Sequence, residues 1–227
     1  MANLLLFDID GTLVLTGRAG LRAMVRAFHE LFGCDNPFGE VSMAGRTDTF
    51  LLSQALTRAG VADDEETHQR FRAVYLRLLA EEIGKPGTGR KGVMPGVAPL
   101  LERLETQGGA HLALLTGNYR DAAEIKLTHF DLWRFFRWGV FGDESPDRNM
   151  LAQLARERAP REVADAAVDT IVVVGDTPFD IECAHAIGAR AVGVATGGHT
   201  VDELRASGAD VVFADLSATR AVIDALL

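Results

Sequence analysis

Short, almost wholly apolar runs are the sequence feature that most restricts the fold of this chain. Five are clear and one is weaker: Leu4–Ile9, His111–Leu115, Thr170–Val174, Arg190–Val194, Val211–Phe213 and the weaker Gly139–Phe141. Runs without polar alternation are typical of strands in a parallel sheet that is covered on both faces. Helical patterns separate them, at Val97–Thr106, Tyr119–His129, Arg148–Arg158, Pro178–Ile187, Val201–Ala206 and Leu216–Leu227. This alternation predicts an α/β fold with a doubly wound, Rossmann-like parallel sheet.

One long segment, residues 15–94, departs from this alternation. It has helical periodicity, for example at Leu21, Met24 and Phe28, and no convincing strand. About 80 residues are too many for a loop, so we expect a helical cap domain inserted after the first strand. The α/β core would then comprise residues 1–14 and 95–227. Five glycines and two prolines in Gly84–Gly96 predict a hinge at the exit of the insertion.

Charge and cysteine content restrict the partners and the compartment. The chain has 23 Lys and Arg against 32 Asp and Glu, a net charge of −9, which repels nucleic acid and anionic membranes. No apolar run reaches the length of a signal peptide core or a membrane span. Cys34 and Cys183 form neither a disulfide framework nor a metal-binding pair. We therefore expect a cytoplasmic protein with a small-molecule substrate and no nucleic-acid or membrane partner.

An acidic motif, Asp8-Ile9-Asp10-Gly11-Thr12, follows the first predicted strand. Side chains alternate along a strand, so Asp8 and Asp10 are expected on the same side. Open α/β sheets bind ligands at the carboxyl ends of their strands, where this pair would lie. Two close carboxylates repel each other unless a cation or a shared proton compensates. The alternative is an acidic turn without a function.

A second acidic turn follows the strand Thr170–Val174, with Asp176 in the loop and Asp180 further on. Pro178 suits the first position of the next helix, which places Asp180 in the first helical turn. Asp176 would reach the same sheet edge as Asp8. Several carboxylates at one point favour a hard divalent cation, and Mg²⁺ fits this ligand set. Interaction with the helix dipole explains Asp180 equally well.

A third motif, Thr116-Gly117-Asn118, follows the strand His111–Leu115 and precedes a helix. A hydroxyl group and free backbone N–H groups at a helix N-terminus form an anion-binding site. Asn118 as an ordinary N-cap explains the same residues equally well.

The three motifs, in this order, resemble the haloacid dehalogenase superfamily of phosphohydrolases, in particular its capped, phosphoglycolate phosphatase-like members. The resemblance implies a Mg²⁺-dependent phosphatase that hydrolyses a small phosphate monoester through an aspartyl-phosphate on Asp8. Asp10 would serve as the general acid and base. It would hold Mg²⁺ through its backbone carbonyl, together with Asp8 and Asp176, with Asp180 behind them. Dehalogenases of the superfamily lack the second Asp, so Asp10 favours phosphate over halide chemistry.

The resemblance also assigns phosphate binding to Thr116, Gly117 and Asn118. The family's Gly-Lys-Pro stretch is absent from this sequence, and Arg148 is the best match for its basic residue. An arginine fork at that position can hold both a phosphoryl oxygen and a carboxylate. Lys126 is the second choice, because its place inside a helix is expected to point it away from the strand ends. Alternatively, Arg148 is an ordinary surface residue of a helix.

The sequence Gly45-Arg46-Thr47-Asp48 interrupts the helical pattern of the insertion. Arg46 is a candidate for binding an anionic end of the substrate, although a solvated loop arginine is the commoner situation. Asp48 is expected to cap a helix over Thr49–Arg58.

Two other functions compete with the phosphatase. A phosphomutase of the same superfamily would form the same aspartyl-phosphate but exclude water. A receiver-like signalling protein also combines an acidic cluster, Mg²⁺, a Thr and a basic residue. Receivers, however, place the phosphorylated Asp after the third strand and have no helical insertion of this size. The sequence does not predict an oligomeric state.

Overall fold

The computed structural model describes residues 2–35, 37–39, 42–163 and 168–227. The strands are β1 (Ala2–Phe7), β2 (Val14–Thr16), β3 (Lys91–Val93), β4 (Ala110–Leu115), β5 (Trp138–Val140), β6 (Val168–Gly175), β7 (Arg190–Val194) and β8 (Val211–Phe213). The α-helices are α1 (Ala19–Phe32), α2 (Asp48–Ala59), α3 (Glu65–Glu82), α4 (Val97–Gln107), α5 (Arg120–His129), α6 (Arg148–Glu162), α7 (Pro178–Ala186), α8 (Val201–Ala206) and α9 (Thr219–Leu226). A short 3₁₀ helix covers Trp133–Phe135.

Six of these strands form one parallel sheet, in the order β5-β4-β1-β6-β7-β8. The first strand of the chain lies in the middle, where Phe7 is in register with Leu114 of β4 and with Val174 of β6. The predicted doubly wound α/β fold is therefore confirmed. Because β1 lies between β4 and β6, the segments after these three strands leave the sheet side by side.

Both faces of the sheet are covered, as the apolar runs predict. Leu5 and Phe7 pack into one hydrophobic cluster with residues of α4 and α9. Leu4 and Leu6 point to the opposite face and pack with residues of α6 and α7. All four side chains are completely buried. Burial of each stabilises the fold by roughly 1.5–3 kcal/mol, which explains why the four residues directly before Asp8 are all apolar.

The segment between β2 and β3 is helical, as predicted, and contains α1, α2 and α3; residues 36, 40 and 41 lie outside its described part. Its helices enclose a third hydrophobic cluster, which includes Phe28, Phe71 and Tyr75. The expectation that residues 15–94 contain no strand is wrong. β2 and β3 pair antiparallel at the base of the insertion, and β3 lies inside the glycine-rich segment. Three-residue strands are too short to show a periodicity of two.

A charged group ties α1 to the end of α3. Glu82 is buried, and its carboxylate contacts Arg22 at 2.7 Å, Arg26 at 2.6 Å and Lys85 at 2.8 Å. Hydrogen bonds from Lys85, Arg22 and Arg26 lower the pKa of Glu82 to about 2. The insertion therefore has an electrostatic contact of its own in addition to its apolar cluster.

Several predicted boundaries move. For example, the first strand ends at Phe7 instead of Ile9, α6 ends at Glu162 instead of Arg158, and the last helix begins at Thr219 instead of Leu216. Within the described ranges, no helix is long and apolar enough to cross a membrane.

Candidate active site

A cavity of about 730 Å³ lies at the carboxyl ends of the central strands. The core contributes Asp8, Asp10 and Asp176 to its wall, and the insertion contributes Met24 and Leu51. The sheet topology explains the convergence, because β1 and β6 are neighbours and end at the same edge. The sequence expectation that the two acidic motifs meet is correct.

Three buried carboxylates form a compact cluster on one side of this cavity. Asp8, Asp176 and Asp180 are each no more than 5% exposed, and one oxygen of each lies within 4.8 Å of the others. Burial, with the neighbouring carboxylates, raises the pKa of Asp8 to about 7 against the opposing effect of Arg148. Burial also raises the pKa of Asp176 well above its usual range, and Asp180 and Asp8 add to the effect. The three carboxylates offer only oxygen ligands, and a bound cation would offset the cost of ionising them. They therefore fit a hard divalent cation such as Mg²⁺.

Close backbone approach holds Asp176 in this cluster. Gly11 has a φ of +93°, and a Cβ atom there would overlap with the Asp176 carboxylate. The same is true of Gly197, in the loop after β7. Thr12 Oγ1 donates a hydrogen bond to Asp176 Oδ1 at 3.1 Å. The Gly-Thr that follows Asp10 thus shapes the pocket of a carboxylate more than 160 residues away in the sequence.

Asp180 lies in the first turn of a helix, as predicted, and also in the acidic cluster. It lies in the first turn of α7, where its Oδ2 accepts hydrogen bonds from Thr177 N at 2.9 Å and Thr177 Oγ1 at 2.7 Å. Pro178 occupies the start of the same helix, as predicted. The other oxygen of Asp180 accepts a hydrogen bond from Arg148 Nη2 and belongs to the acidic cluster. One carboxylate therefore caps a helix and fixes a buried arginine.

Arg148, the first residue of α6, is 8% exposed, so its reading as a surface helix residue is wrong. Its Nη2 lies 3.4 Å from Asp8 Oδ1. Although burial lowers it, the carboxylates of Asp180 and Asp8 raise the pKa of Arg148 above its usual value. Its Nε is buried without a hydrogen-bond partner in the part of the chain that the structure describes. Arg148 therefore supplies a permanent positive charge beside Asp8.

The expectation that Lys126 points away from the strand ends is wrong. Lys126 is 5% exposed, and its Nζ lies 2.6 Å from Asp10 Oδ2 and 2.5 Å from Asn118 Oδ1. Side chains on a helix tilt towards its N-terminus, and the N-terminus of α5 adjoins the strand ends. A lysine is long enough to use this tilt, which is the signal that sequence reasoning missed. The site thus contains two buried basic residues.

Two residues of the Thr116-Gly117-Asn118 motif, Gly117 and Asn118, line the cavity. Thr116 is completely buried, and its Oγ1 accepts hydrogen bonds from Asn118 Nδ2 at 2.8 Å and from Asn118 N at 3.4 Å. Asn118 Nδ2 donates a second hydrogen bond to Asp10 Oδ2 at 2.9 Å. The interpretation of Asn118 as the N-cap is wrong, because Tyr119 occupies that position. The side chain of Asn118 instead links Thr116 to Asp10 and Lys126.

Arg46 reaches the cavity from the insertion. Its guanidinium carbon lies 4.9 Å from the centre of the Phe50 ring and 4.4 Å from that of Phe179. Phe179 belongs to α7 of the core, so this contact joins the insertion to the helix that carries Asp180. Arg46 lines the main cavity and an adjoining one of about 310 Å³ while remaining exposed. Its contact with a substrate stays a prediction.

The N-terminus of α2 differs from the sequence prediction. Thr47 is the N-cap, since its Oγ1 accepts a hydrogen bond from Phe50 N at 3.1 Å, and Asp48 is the first helical residue. The Asp48 side chain is free of capping and accepts a hydrogen bond from Tyr119 N at 2.9 Å. Burial raises the pKa of Asp48 to about 6 against the opposing effect of Lys126.

Four insertion–core hydrogen bonds involve Thr47, Asp48 and Thr49. Besides the Tyr119 N–Asp48 bond, they are Asp48 N to Gly117 O at 2.7 Å, Thr47 Oγ1 to Pro146 O at 3.0 Å, and Thr49 Oγ1 to Gly142 O at 2.6 Å. They fasten the start of α2 to the loops after β4 and β5, which carry Thr116 and lead to Arg148.

Comparison with known proteins agrees with this geometry. A family model described as haloacid dehalogenase-like hydrolase matches residues 5–194. A probable phosphatase IndB of Dickeya dadantii is 30% identical over all of this chain and 96% of its own length. A phosphoglycolate phosphatase of Rhodospirillum rubrum is 30% identical over 96% of this chain and 89% of its own.

A solved structure shows the same fold at lower identity. The crystal structure of a predicted phosphoglycolate phosphatase from Haemophilus somnus superposes with a TM-score of 0.71, at 21% identity and with 98% of each chain covered. Together with the family match over most of the chain, this confirms the resemblance stated from the motifs and the prediction of an enzyme. The chain belongs to the haloacid dehalogenase-like hydrolases.

Proposed function

We propose that this protein is a Mg²⁺-dependent phosphatase that hydrolyses a small-molecule phosphate monoester through an aspartyl-phosphate on Asp8. The observation that carries the proposal is the placement of Asp8. Its buried carboxylate lies at the cavity wall, 3.4 Å from Arg148 Nη2 and in one cluster with Asp176 and Asp180. Phosphatase names among relatives that align over nearly the whole chain support the same reading.

Asp8 and Asp176, with the backbone carbonyl of Asp10, would hold the Mg²⁺, and Asp180 lies directly behind them. When bound, Mg²⁺ neutralises negative charge on the carboxylates and on the phosphoryl oxygens. Asp8 must be ionised to act, and because burial raises its pKa, its ionised form would need a positive charge in addition to Mg²⁺. Arg148 provides that charge, because Asp180 fixes its guanidinium within reach of Asp8.

The reaction proceeds in two displacements. In the first, an Asp8 oxygen forms a bond to phosphorus while the bond to the alcohol oxygen breaks, and Asp10 gives a proton to the departing alcohol. In the second, water attacks the phosphorus of the aspartyl-phosphate and loses a proton to Asp10. Asp8 is released as a carboxylate, and inorganic phosphate leaves. Asp10 would carry the proton on Oδ1, because Oδ2 already accepts hydrogen bonds from Lys126 Nζ at 2.6 Å and from Asn118 Nδ2 at 2.9 Å.

The remaining polar residues bind and orient. Thr116, Gly117 and Asn118 would contact the phosphoryl oxygens at the start of α5. Arg46 would meet an anionic or polar end of the alcohol part from the side of the insertion. We propose that residues 15–94 act as the cap over a core of residues 1–14 and 95–227, with the hinge near 84–96.

The first experiment is release of inorganic phosphate from a panel of small phosphate esters, with Mg²⁺ and with EDTA. We expect turnover of at least one ester that EDTA abolishes. Asp8→Asn should remove turnover, whereas Asp224→Asn, an exposed residue on α9, should leave it unchanged. Turnover by Asp8→Asn, or turnover unaffected by EDTA, contradicts the mechanism. Transfer of the phosphoryl group to a sugar phosphate in preference to water would instead favour the phosphomutase.

A further inference from the structure

The hydroxyl group of Tyr75 stands out among the buried polar groups of the insertion. Tyr75 lies on α3 and is completely buried, yet it lines the main cavity. Its Oη has no hydrogen-bond partner among the residues described. A buried hydroxyl without a partner costs free energy, so its retention at a cavity wall points to a partner that arrives with the ligand.

The position of this hydroxyl relates it to the proposed general acid. A Cβ atom on Gly20 of α1 would lie 3.5 Å from Lys126 Nζ and 3.8 Å from Tyr75 Oη, so both polar atoms face the same small space. Lys126 Nζ in turn lies 2.6 Å from Asp10 Oδ2. If Asp10 protonates the leaving oxygen, the carbon skeleton of the alcohol lies on this side of the cavity.

The aromatic packing of Tyr75 fixes the direction of its ring. Its centroid lies 6.0 Å from that of Phe71 in a stacked arrangement and 6.2 Å from that of Tyr119. Burial raises the pKa of Tyr75 well above its usual value, and the carboxylates of Asp48 and Asp10 add to the effect. The hydroxyl therefore remains a donor over the working pH range.

The charges around Tyr75 favour an uncharged acceptor over an anionic one. Asp10 and Asp48 are two carboxylates in its electrostatic neighbourhood, and Lys126 Nζ, which faces the same space, is already paired with Asp10. A substrate carboxylate would be repelled by the two acidic groups. An alcohol or carbonyl oxygen would not, and a hydroxyl can also donate a proton towards a carboxylate.

We propose that Tyr75 is a specificity-determining residue whose hydroxyl donates a hydrogen bond to an uncharged oxygen on the alcohol part of the substrate. The substrate class is then a phosphate monoester of a hydroxylated or carbonyl-bearing alcohol, such as a polyol or sugar phosphate. This inference rests on the proposed function, and it adds which end of the substrate the insertion recognises and by what chemistry.

The test compares Tyr75→Phe with the unaltered protein on three esters: glycerol 3-phosphate, propyl phosphate and phosphoglycolate. Loss of one neutral hydrogen bond should lower kcat/KM for glycerol 3-phosphate about three- to tenfold. The values for propyl phosphate and phosphoglycolate should not change. The melting temperature should stay the same or rise, because the substitution removes an unsatisfied buried hydroxyl.

Tyr119→Phe is the matched control. Tyr119 is a neighbouring buried tyrosine outside the cavity lining, with the guanidinium carbon of Arg72 5.3 Å from its ring centre. Loss of its hydroxyl should leave the ranking of the three esters unchanged. An equal effect of Tyr75→Phe on all three esters, no effect on any, or a loss greatest for phosphoglycolate overturns the proposal.

A binding measurement separates this proposal from the proposed function. Calorimetry with the Asp8→Asn variant and Mg²⁺ measures the Kd of glycerol 3-phosphate without turnover. Adding Tyr75→Phe should weaken that Kd about three- to tenfold and leave the Kd of propyl phosphate unchanged. An unchanged Kd for glycerol 3-phosphate, or no binding of it at all, refutes the role of Tyr75. Absence of turnover with this binding difference intact refutes the phosphatase alone.

Discussion

Asp8→Asn should stabilise the metal-free protein although it abolishes the proposed chemistry. The folded protein holds the Asp8 carboxylate in a buried cluster with Asp176 and Asp180, and burial raises its pKa from 3.8 to about 7. A raised folded pKa means that ionisation of Asp8 opposes folding. The penalty is absent below pH 3.8, grows as the pH rises, and is fully present above about pH 7.

The size of the effect follows from the shift. Each pKa unit corresponds to 1.36 kcal/mol, so the full shift of Asp8 amounts to about 4 kcal/mol, and relaxation around the site reduces it to about 2–4 kcal/mol. Asparagine has the same shape without the charge. Arg148 loses one carboxylate partner but keeps Asp180. For a chain of this length we expect the melting temperature to rise by roughly 5–15 °C.

The assay is thermal and urea unfolding in EDTA at pH 5 and pH 8, with Asp224→Asn as the exposed control. The gain from Asp8→Asn should be large at pH 8 and less than half as large at pH 5, where only part of the penalty has developed. Saturating Mg²⁺ at pH 8 should stabilise the unaltered protein and reverse the ranking. A variant less stable than the unaltered protein at pH 8 in EDTA, or an equal gain at both pH values, would refute the reasoning.

Two further predictions concern the basic residues and the insertion. Arg148→Met should lower kcat at least about a hundredfold, and it should also destabilise the fold because it leaves buried carboxylates uncompensated. Lys126→Met should lower kcat chiefly for esters with poor leaving groups. Steady-state kinetics on two leaving groups separates them, and a loss of activity confined to Lys126→Met would overturn the assignment of Arg148. Glu82→Gln should lower the free energy of unfolding by about 1–2 kcal/mol at pH 7. Because the folded protein lowers the pKa of Glu82 to about 2, the Glu82 carboxylate stabilises the fold above pH 4.5, and this stabilisation is lost as the pH falls towards 2. Urea unfolding measures it, with the exposed neighbour Glu81→Gln expected to change less; equal effects would show that burial of Glu82 does not matter.

Much of the site follows from the sequence because it depends on strand ends. Once the apolar runs are read as neighbouring parallel strands, the residues that follow them must meet at one edge. Asp8, Thr116 and Asp176 are such residues; the structure brings Asp8 and Asp176 to the cavity wall and bonds Thr116 to Asn118, which lines the cavity. Arg148 could be found only through the resemblance, since its helix start carries no other signal.

The residues that sequence reasoning misplaces depend on side-chain direction and on contacts between distant helices. Lys126 returns to the strand ends through the tilt and length of its side chain. Asp48 resembles a helix cap in the sequence but bonds to Tyr119 of the core instead. Tyr75 fits the periodicity of a core helix, and only the missing partner of its hydroxyl distinguishes it from an ordinary packed aromatic residue.

The four insertion–core hydrogen bonds restrict the exchange of molecules between the cavity and bulk water. They close a seam on the side of the cavity where Thr47, Asp48 and Thr49 meet the loops after β4 and β5. A molecule that leaves through this side must first break the seam, which exposes the buried Asp48 carboxylate and frees the carbonyl of Gly117. Exchange by that route can therefore be no faster than the opening of the seam, and each opening loosens the loop that follows Thr116.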